Sequence, residues 1–283
     1  MLFLIGFVTV FGSVLFGFVM SHGQLMALWQ PFEILIIVGA AFGGFLLSNP
    51  WHVVKRCFGL IPRVILGDGN RKNQDLALLG LVYDLLNKAR REGLMSIESE
   101  VDNPAASAIF SRYPQIQKDR ELSEFIADYL RIIVVGNLTS YELEGLMDQE
   151  IETRLHELEQ PSQAMSKVAD ALPGFGIVAA VLGIVITMGA IGGDITTIGM
   201  HVAAALVGTF SGVLLAYGLV GPIASKMRHM ADHDIKLYEA AKVCILASLN
   251  GVQPQLAVEF GRKALFSYNR PDYRQLENRM RSR

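Results

Sequence analysis

The sequence predicts an all-α integral membrane protein with four transmembrane helices and a helical cytoplasmic domain inserted between the second and third spans. Its hydrophobic content of 51% and mean hydropathy of +0.35 are too high for an ordinary soluble domain. The apolar residues form four blocks, and the 25 Lys and Arg residues lie outside them. We therefore divide the chain into two spans at 1–50, a cytoplasmic domain at 51–171, a transmembrane hairpin at 172–222 and C-terminal cytoplasmic helices at 223–283.

The first two spans are predicted from two apolar runs, of which the first contains no charged residue. Leu2 to Met20 lacks the positive start and the small-residue cleavage site of a secretory signal, so we interpret it as a retained span. The second run follows Pro31 and extends from Phe32 to about Ser48. It is short and rich in small residues, so we expect it to pack against other helices. We interpret Glu33, at its start, as an interfacial carboxylate in preference to a conducted-ion site.

The distribution of positive charge predicts the orientation. Lys and Arg are absent from 1–50 and from 172–222, whereas 51–171 contains 14 of them and 223–283 contains 11. Positively charged loops stay in the cytoplasm. Both chain termini and the middle domain are therefore expected on the cytoplasmic side.

The middle domain is expected to be helical. Apolar residues at helical spacing predict one helix that ends near Gly93 and another from about Glu121 to Gly136. Thr139 with Glu142 forms a capping-box signature that opens an acidic third helix. Pro161 is expected to kink or end this helix.

The C-terminal segment is predicted to contain a long helix from Ser225, a turn at Asn250-Gly251 and a further helix around 257–265. The basic start of this segment, with Lys226 and Arg228, is compatible with lipid headgroups or with the acidic helix at 142–159. Charge alone leaves both alternatives open.

The hairpin is unusual in its side-chain size. Its apolar runs, 172–191 and 202–220, are each long enough to cross the roughly 30 Å hydrocarbon core of a bilayer. Gly208 and Gly212 form a G-x-x-x-G pattern, which predicts close approach of two helix backbones. The alternative is the general enrichment of transmembrane helices in Gly and Ala.

The hairpin also lacks an ion acceptor within its predicted spans. Its ionisable residues are Asp194 and His201, and we place both in the linker between the spans. Proton-moving membrane proteins normally carry a carboxylate or histidine inside the membrane. We therefore expect a partner protein to supply the group that binds the ion.

Motifs of catalysis and cofactor binding are missing from the sequence. It contains no phosphate-binding glycine loop, no H-E-x-x-H and no G-x-S-x-G, so neither an enzyme nor a cofactor is expected. Cys57 and Cys244 fall on the predicted cytoplasmic side, where disulfides are rare. His229 and His233 are four residues apart but lack a third ligand, so no metal site is predicted. No nucleic-acid partner is expected.

Four separated motifs carry a family resemblance. The runs LPGFGIVAAVLGIV at 172–185, VGTFSGVLLAYGLVGPIA at 207–224, LMDQEIE at 146–152 and AVEFGRK at 257–263 resemble the MotA family of flagellar motor stator subunits. The resemblance covers essentially the whole chain. It implies a pentamer of such chains in the bacterial inner membrane that, with a MotB-like partner, converts proton flow into torque on the rotor.

The resemblance also implies roles for individual residues. Pro173 and Pro222 match positions thought to couple ion passage to movement of the cytoplasmic domain, although both could simply mark helix ends. Arg90 and Glu98 match the family's charged contacts to the rotor protein FliG, although without the resemblance they are ordinary surface charges.

The ion pathway is expected to include Thr209 and Ala180. Thr209 matches a hydroxyl that lines the route, and sodium-using relatives tend to carry a second threonine at the position of Ala180. Because an alanine side chain cannot donate an oxygen to a dehydrated cation, the conducted ion is expected to be H⁺. The alternative classes are an ExbB/TolQ-type energising subunit, which typically has three spans, a charge-relay transporter and a purely structural scaffold.

Overall fold

The computed structural model describes residues 2–67, 71–136, 138–189 and 194–281. The protein is 87% helical and contains no strand within these ranges. Among the described residues, four helices are long and apolar enough to cross a membrane. The chain separates into two compact units, which we call the span unit (1–68 and 159–229) and the second unit (69–158 and 230–283). The predicted all-α membrane fold is confirmed.

The span unit contains the predicted spans. Its elements are α1 (Leu2–Met20), α2 (Pro31–Ser48), α3 (Trp51–Leu66), the C-terminal part of α8 (Ser140–Gly189), α9 (Ile195–Leu215), a π-helical segment (Ala216–Val220) and the start of α10 (Gly221–Leu249). Buried Ile37 and Ala41 of α2 pack with Leu172, Ala179 and Ala216 of the hairpin. The second span therefore packs on the hairpin through one face, while Phe32, Leu35 and Leu47 elsewhere on it are exposed.

Helix α3 was not predicted from the sequence. It buries Val53, Val54, Cys57 and Val64 on one face, and Cys57 donates a hydrogen bond from Sγ to the carbonyl oxygen of Pro161 at 3.6 Å. Its charged residues fall on other faces, so no continuous apolar run marks it. By its contacts, α3 belongs with the spans, although it lies beyond the apolar run that defined 1–50.

The predicted linker between the third and fourth spans is shorter than expected. Residues 195–200 are helical, because the carbonyl of Asp194 accepts from the amide of Thr197 at 3.1 Å and α9 begins at Ile195. The placement of His201 in the linker was therefore wrong, since this residue lies in the second turn of α9 and is half-buried. Residues 190–193 of the predicted linker lie outside the described residues.

The second unit is a helical bundle with its own core. Its elements are α4 (Arg71–Glu92), α5 (Glu98–Asp102), α6 (Pro114–Gln117), α7 (Arg120–Val135), the first part of α8, the remainder of α10, α11 (Pro254–Ala264) and α12 (Tyr273–Arg281). The predicted helix ends are confirmed at Gly93, Gly136 and Gly251, which have φ values of +90°, +73° and +83°. Positive φ at these positions favours glycine.

The capping box at the start of α8 is confirmed. The amide of Thr139 donates to Glu142 Oε2 at 2.9 Å, and the amide of Glu142 donates back to Thr139 Oγ1 at 3.3 Å. Lys242, further along α10, contacts the acidic first part of α8. Its Nζ lies 2.6 Å from Asp148 Oδ1 and 3.8 Å from Glu144 Oε1, so it pairs with the acidic helix.

Pro161 was expected to kink or end this helix, and it does not end it. Helix α8 runs without interruption from Ser140 to Gly189 and contains both Pro161 and Pro173. A proline inside a helix removes one backbone hydrogen bond and costs about 3 kcal/mol. The buried position of Pro161, beside Cys57 and next to the buried Ser162, offsets this cost through packing.

Candidate functional site

Helices α8 and α9 touch backbone to backbone. A Cβ atom built on Gly212 would lie 2.7 Å from the carbonyl oxygen of Leu172 and 3.0 Å from Cα of Gly176. One built on Gly176 would lie 3.0 Å from the carbonyl oxygen of Gly208. Glycine is therefore required at these positions, and the predicted close approach at the G-x-x-x-G pattern is confirmed.

The close contact continues toward the other end of the hairpin, and we call the whole line of contact the glycine seam. A Cβ on Gly208 would meet Cβ of Ala179 at 3.3 Å, and one on Gly183 would meet Cβ of Ala205 at 3.1 Å. Ala179 and Ala205 are buried. The seam therefore extends over several turns of both helices and leaves no space for an ion between them.

The predicted pathway residues, Ala180 and Thr209, flank the glycine seam. A Cβ on Gly208 would lie 3.5 Å from the amide nitrogen of Ala180, and one on Gly176 would lie 3.3 Å from Cα of Thr209. Both residues are half-buried. The structure thus brings Ala180 and Thr209 to the same stretch of the α8–α9 contact.

Two threonines of the hairpin helices, Thr187 and Thr209, differ in their hydrogen bonding. Thr187 is buried and its Oγ1 donates to the carbonyl of Gly183 at 2.8 Å, within its own helix. Within the part of the chain that the structure describes, the Thr209 hydroxyl has no hydrogen-bond partner. The Thr209 oxygen is therefore the one available to a water molecule or an ion.

Two polar atoms in the span unit are buried without partners among the described residues. They are Oε2 of Glu33, in the first turn of α2, and Nδ1 of His201 on α9. The sequence prediction placed Glu33 at the start of the second span and His201 in the linker between the third and fourth spans. The burial of His201 was missed because the linker was predicted to be longer than it is.

The two predicted coupling prolines lie within continuous helical structure and do not end helices. Pro173 is in the interior of α8, and Pro222 is the second residue of α10. Pro222 follows the π-helical segment Ala216–Val220, in which the amide of Gly221 donates to the carbonyl of Ala216. This wider turn accommodates the proline, because its ring would clash with an α-helical carbonyl four residues earlier.

The predicted rotor contacts, Arg90 and Glu98, are on the surface of the second unit. Arg90 lies in the last turn of α4, and Glu98 is the first residue of α5. Both are exposed, and neither forms an ion pair or side-chain hydrogen bond within the described residues. They are therefore open to a partner, and the surface position expected for them is confirmed.

The structure reveals a buried polar pair that the sequence did not predict. His233 Nε2 lies 3.1 Å from Asp75 Oδ1, and both side chains are almost fully buried. Burial lowers the pKa of His233, but the carboxylates of Asp234 and Asp75 outweigh it and raise that pKa to about 9. His233 is therefore an internal partner of Asp75, and no cluster of three metal-ligating side chains occurs among the described residues.

A second polar cluster anchors the segment after α4. Lys88 Nζ lies 2.9 Å from Glu100 Oε1, and Glu100 Oε2 accepts from the hydroxyl of Ser107 and, at 3.3 Å, from the amide of Ile109. Burial opposes ionisation of Glu100, but these hydrogen bonds outweigh it and lower its pKa. The cluster fixes the segment that carries Glu98.

This fold and this site define a class of protein, namely a four-span helical membrane subunit whose tightly packed hairpin has no carboxylate within its predicted apolar runs. Residues 4–93 match the model of the motility protein A N-terminal region, and residues 117–240 match that of the MotA/TolQ/ExbB proton channel family. The chain belongs to the MotA family of flagellar motor stator subunits, as the sequence predicted.

Individual relatives support this assignment over the full length. Motility protein A of Salmonella typhimurium is 42% identical over 282 residues, which are 100% of this chain and 96% of the relative. Chemotaxis protein LafT of Vibrio parahaemolyticus is 39% identical over 96% of each chain.

Two solved structures share the fold. One is a MotAB structure from C. jejuni with a TM-score of 0.76 and 19% identity, covering 94% of this chain and 95% of that chain. The other is the flagellar MotAB stator complex from Bacillus subtilis with a TM-score of 0.72 and 22% identity, covering 97% and 98%.

Proposed function

We propose that this stator subunit conducts ions along the flank of its α8–α9 hairpin, beside a MotB-like partner that supplies the ion-binding carboxylate. The observation that carries the proposal is the glycine seam. Because Gly176 and Gly212 bring the two backbones into contact, an ion cannot pass between the helices. The free hydroxyl of Thr209 lies at the edge of the seam, where a third helix would complete the pathway.

The conducted ion in this proposal is H⁺. Ala180 lies beside Thr209 at the seam and offers no side-chain oxygen. The other nearby threonine, Thr187, uses its hydroxyl within α8. A dehydrated Na⁺ needs several oxygen ligands, whereas a proton can pass along hydrogen-bonded water beside a single hydroxyl.

The proposed location is the bacterial inner membrane, with both termini and the second unit on the cytoplasmic side. The distribution of Lys and Arg supports this orientation. In this topology the second unit presents Arg90 and Glu98 to a FliG-like rotor protein, and a pentamer of chains surrounds the partner. The relatives are motor and channel proteins, and we propose no catalytic activity and no cofactor for this chain.

Coupling between ion passage and force is proposed to use Pro173 and Pro222. Each proline removes one backbone hydrogen bond from a helix that continues on both sides of it. Such positions bend at low cost and are suited to transmit a change at the glycine seam along the helix. The ExbB/TolQ alternative is a family-level relative only, and the match of 4–93 to the motility protein A N-terminal model favours the stator.

The proposal is tested by motility rescue. The chain is expressed with its MotB-like partner in a host that lacks stators, and swimming speed is measured while the sodium and proton gradients are varied independently. We expect speed to follow the proton gradient and to ignore sodium. Speed that follows sodium would contradict the proposed ion, and absence of rescue at normal membrane levels would contradict the stator function.

Thr209→Ala and Thr209→Ser distinguish a pathway hydroxyl from a packing residue. If the hydroxyl lines the route, Thr209→Ser keeps speed near that of the parent while Thr209→Ala lowers it. Equal speeds of the two variants would show that the oxygen is not used.

A further inference from the structure

The second unit contains an apolar groove beside the C-terminal end of α4. Its volume is about 370 Å³. Its floor consists of the buried side chains of Leu86, Leu130 and Ile245, from three different helices. Its rim includes the exposed side chains of Leu94 and Leu249. An open groove with an apolar floor and exposed aliphatic side chains at its rim is typical of a protein-binding surface.

The groove lies beside the segment that carries the two charges proposed to contact the rotor. Arg90 is part of its lining, and so are Leu94 and Ile97. Glu98 follows Ile97 in the chain. The segment that joins Arg90 to Glu98 therefore forms part of the groove wall, and a partner bound at Arg90 lies next to the groove.

Two exposed charges alone form a weak attachment. Ion pairs in water contribute little and are screened by salt. Strong contacts in protein interfaces are made by large side chains that enter a pocket from which water is excluded. A side chain that fills this groove would also remove water from around Arg90, and the lower local dielectric would strengthen its pairing with a carboxylate.

We propose that the groove is the anchor site for the rotor protein. An amphipathic helix of that protein inserts one large aliphatic or aromatic side chain between Leu94 and Leu249, while an acidic residue about one turn away pairs with Arg90. Charge supports this occupant, because Arg90 has no ion pair of its own among the described residues. The inference rests on the proposed rotor contact at Arg90 and Glu98 and extends it to an apolar component.

Two substitutions in the full chain, expressed with its partner, test the anchor. Leu94→Asn makes the rim polar at a position that is 48% exposed, so the fold is expected to tolerate it. Ser248→Trp fills the groove from the half-buried Ser248 of its lining. We expect each variant to reach the membrane at normal levels and to lower stall torque about tenfold, as for the loss of one central anchor.

The matched controls are a neighbouring apolar residue and a surface serine. Met95 is 65% exposed and adjacent to Leu94 but does not line the groove. Met95→Asn and Ser111→Trp are expected to keep normal torque. If Leu94→Asn and Ser248→Trp keep torque equal to these controls, the groove is not an anchor site.

The occupant is identified by photo-crosslinking. A benzoylphenylalanine at position 249, on the rim, is expected to form an adduct with the rotor protein, identified by antibody. The same probe at position 268, which is 72% exposed outside the groove, is expected to form none. An adduct at position 249 with a second copy of this chain or with lipid alone would overturn the proposal.

Charge reversal separates failure of the groove from failure of the proposed rotor contact. If the double variant Arg90→Glu, Glu98→Lys abolishes torque while the groove variants match their controls, only the groove inference is wrong. If the charge reversals leave torque normal, the rotor contact at this site is wrong and the groove inference falls with it.

Discussion

Replacing Gly212 with alanine tests whether the glycine seam holds the hairpin together. The new Cβ would lie 2.7 Å from the carbonyl oxygen of Leu172, and ordinary contact begins at 3.4 Å, so about 0.7 Å of movement (3.4 − 2.7) is needed. The atoms it meets belong to the backbone and cannot rotate away. The helices must separate, and overpacking of this kind costs about 1–3 kcal/mol. The higher helix propensity of alanine offsets at most about 1 kcal/mol of this cost.

The measurement is thermal unfolding in detergent, followed with a thiol-reactive dye in a Cys244→Ala background. The remaining thiol, Cys57, is buried in the span unit and reacts only when that unit opens. The control is Gly174→Ala, because a Cβ on Gly174 meets no atom within 4 Å. We expect Gly212→Ala to lower the unfolding midpoint and Gly174→Ala to keep or raise it. Equal midpoints of the two variants would refute the reasoning.

Three further predictions concern the second unit, each measured with the same dye on Cys244 in a Cys57→Ala background. The pKa of His233 is raised to about 9 from an ordinary value of 6.5, so its stabilising effect is present below pH 6.5 and is lost as pH rises through about 9. The midpoint should fall over that range, and His233→Asn should remove this part of the pH dependence; an unchanged profile would contradict the pairing. Thr139→Ala removes one side of the capping box and should lower the free energy of unfolding by about 1 kcal/mol. Thr139→Ser keeps the hydroxyl and should retain most of that stability. Lys242→Met should lower the free energy of unfolding by less than about 1 kcal/mol, and by nothing in high salt, because its partner Asp148 is exposed. A loss that does not depend on salt would show that packing of the lysine stem matters more than its charge.

The parts of the fold that the sequence predicted depend on local chemistry. An uncharged run of membrane-spanning length identifies α1 without any knowledge of its neighbours. The glycines at 93 and 136 end helices because their backbone adopts positive φ, and the box at Thr139 begins α8 through hydrogen bonds three residues apart. Each of these signals lies within a few residues of the feature it determines.

The features that the sequence did not predict depend on residues distant in the chain. Helix α3 is recognised by the face that it buries in the span unit. Helix α8 continues past Pro161, and this proline packs against α3. His233 and Asp75 are 158 residues apart, and nothing in their local sequence indicates that they meet. Within the candidate site, the proximity of Ala180 and Thr209 was expected from the family resemblance. The apolar groove could not be predicted from the sequence, because it forms where α4, α7 and α10 pack together.

The two prolines of the hairpin lie in helices of different backbone geometry. Around Pro173 the helix keeps its α pattern, whereas Pro222 follows five residues of π-helix. In that segment Gly218 approaches α1, since a Cβ on it would lie 3.1 Å from a methyl carbon of Val10. A π turn is intrinsically less stable than an α turn and persists where neighbouring contacts support it. The π-helical segment before Pro222 therefore depends on its contact with α1.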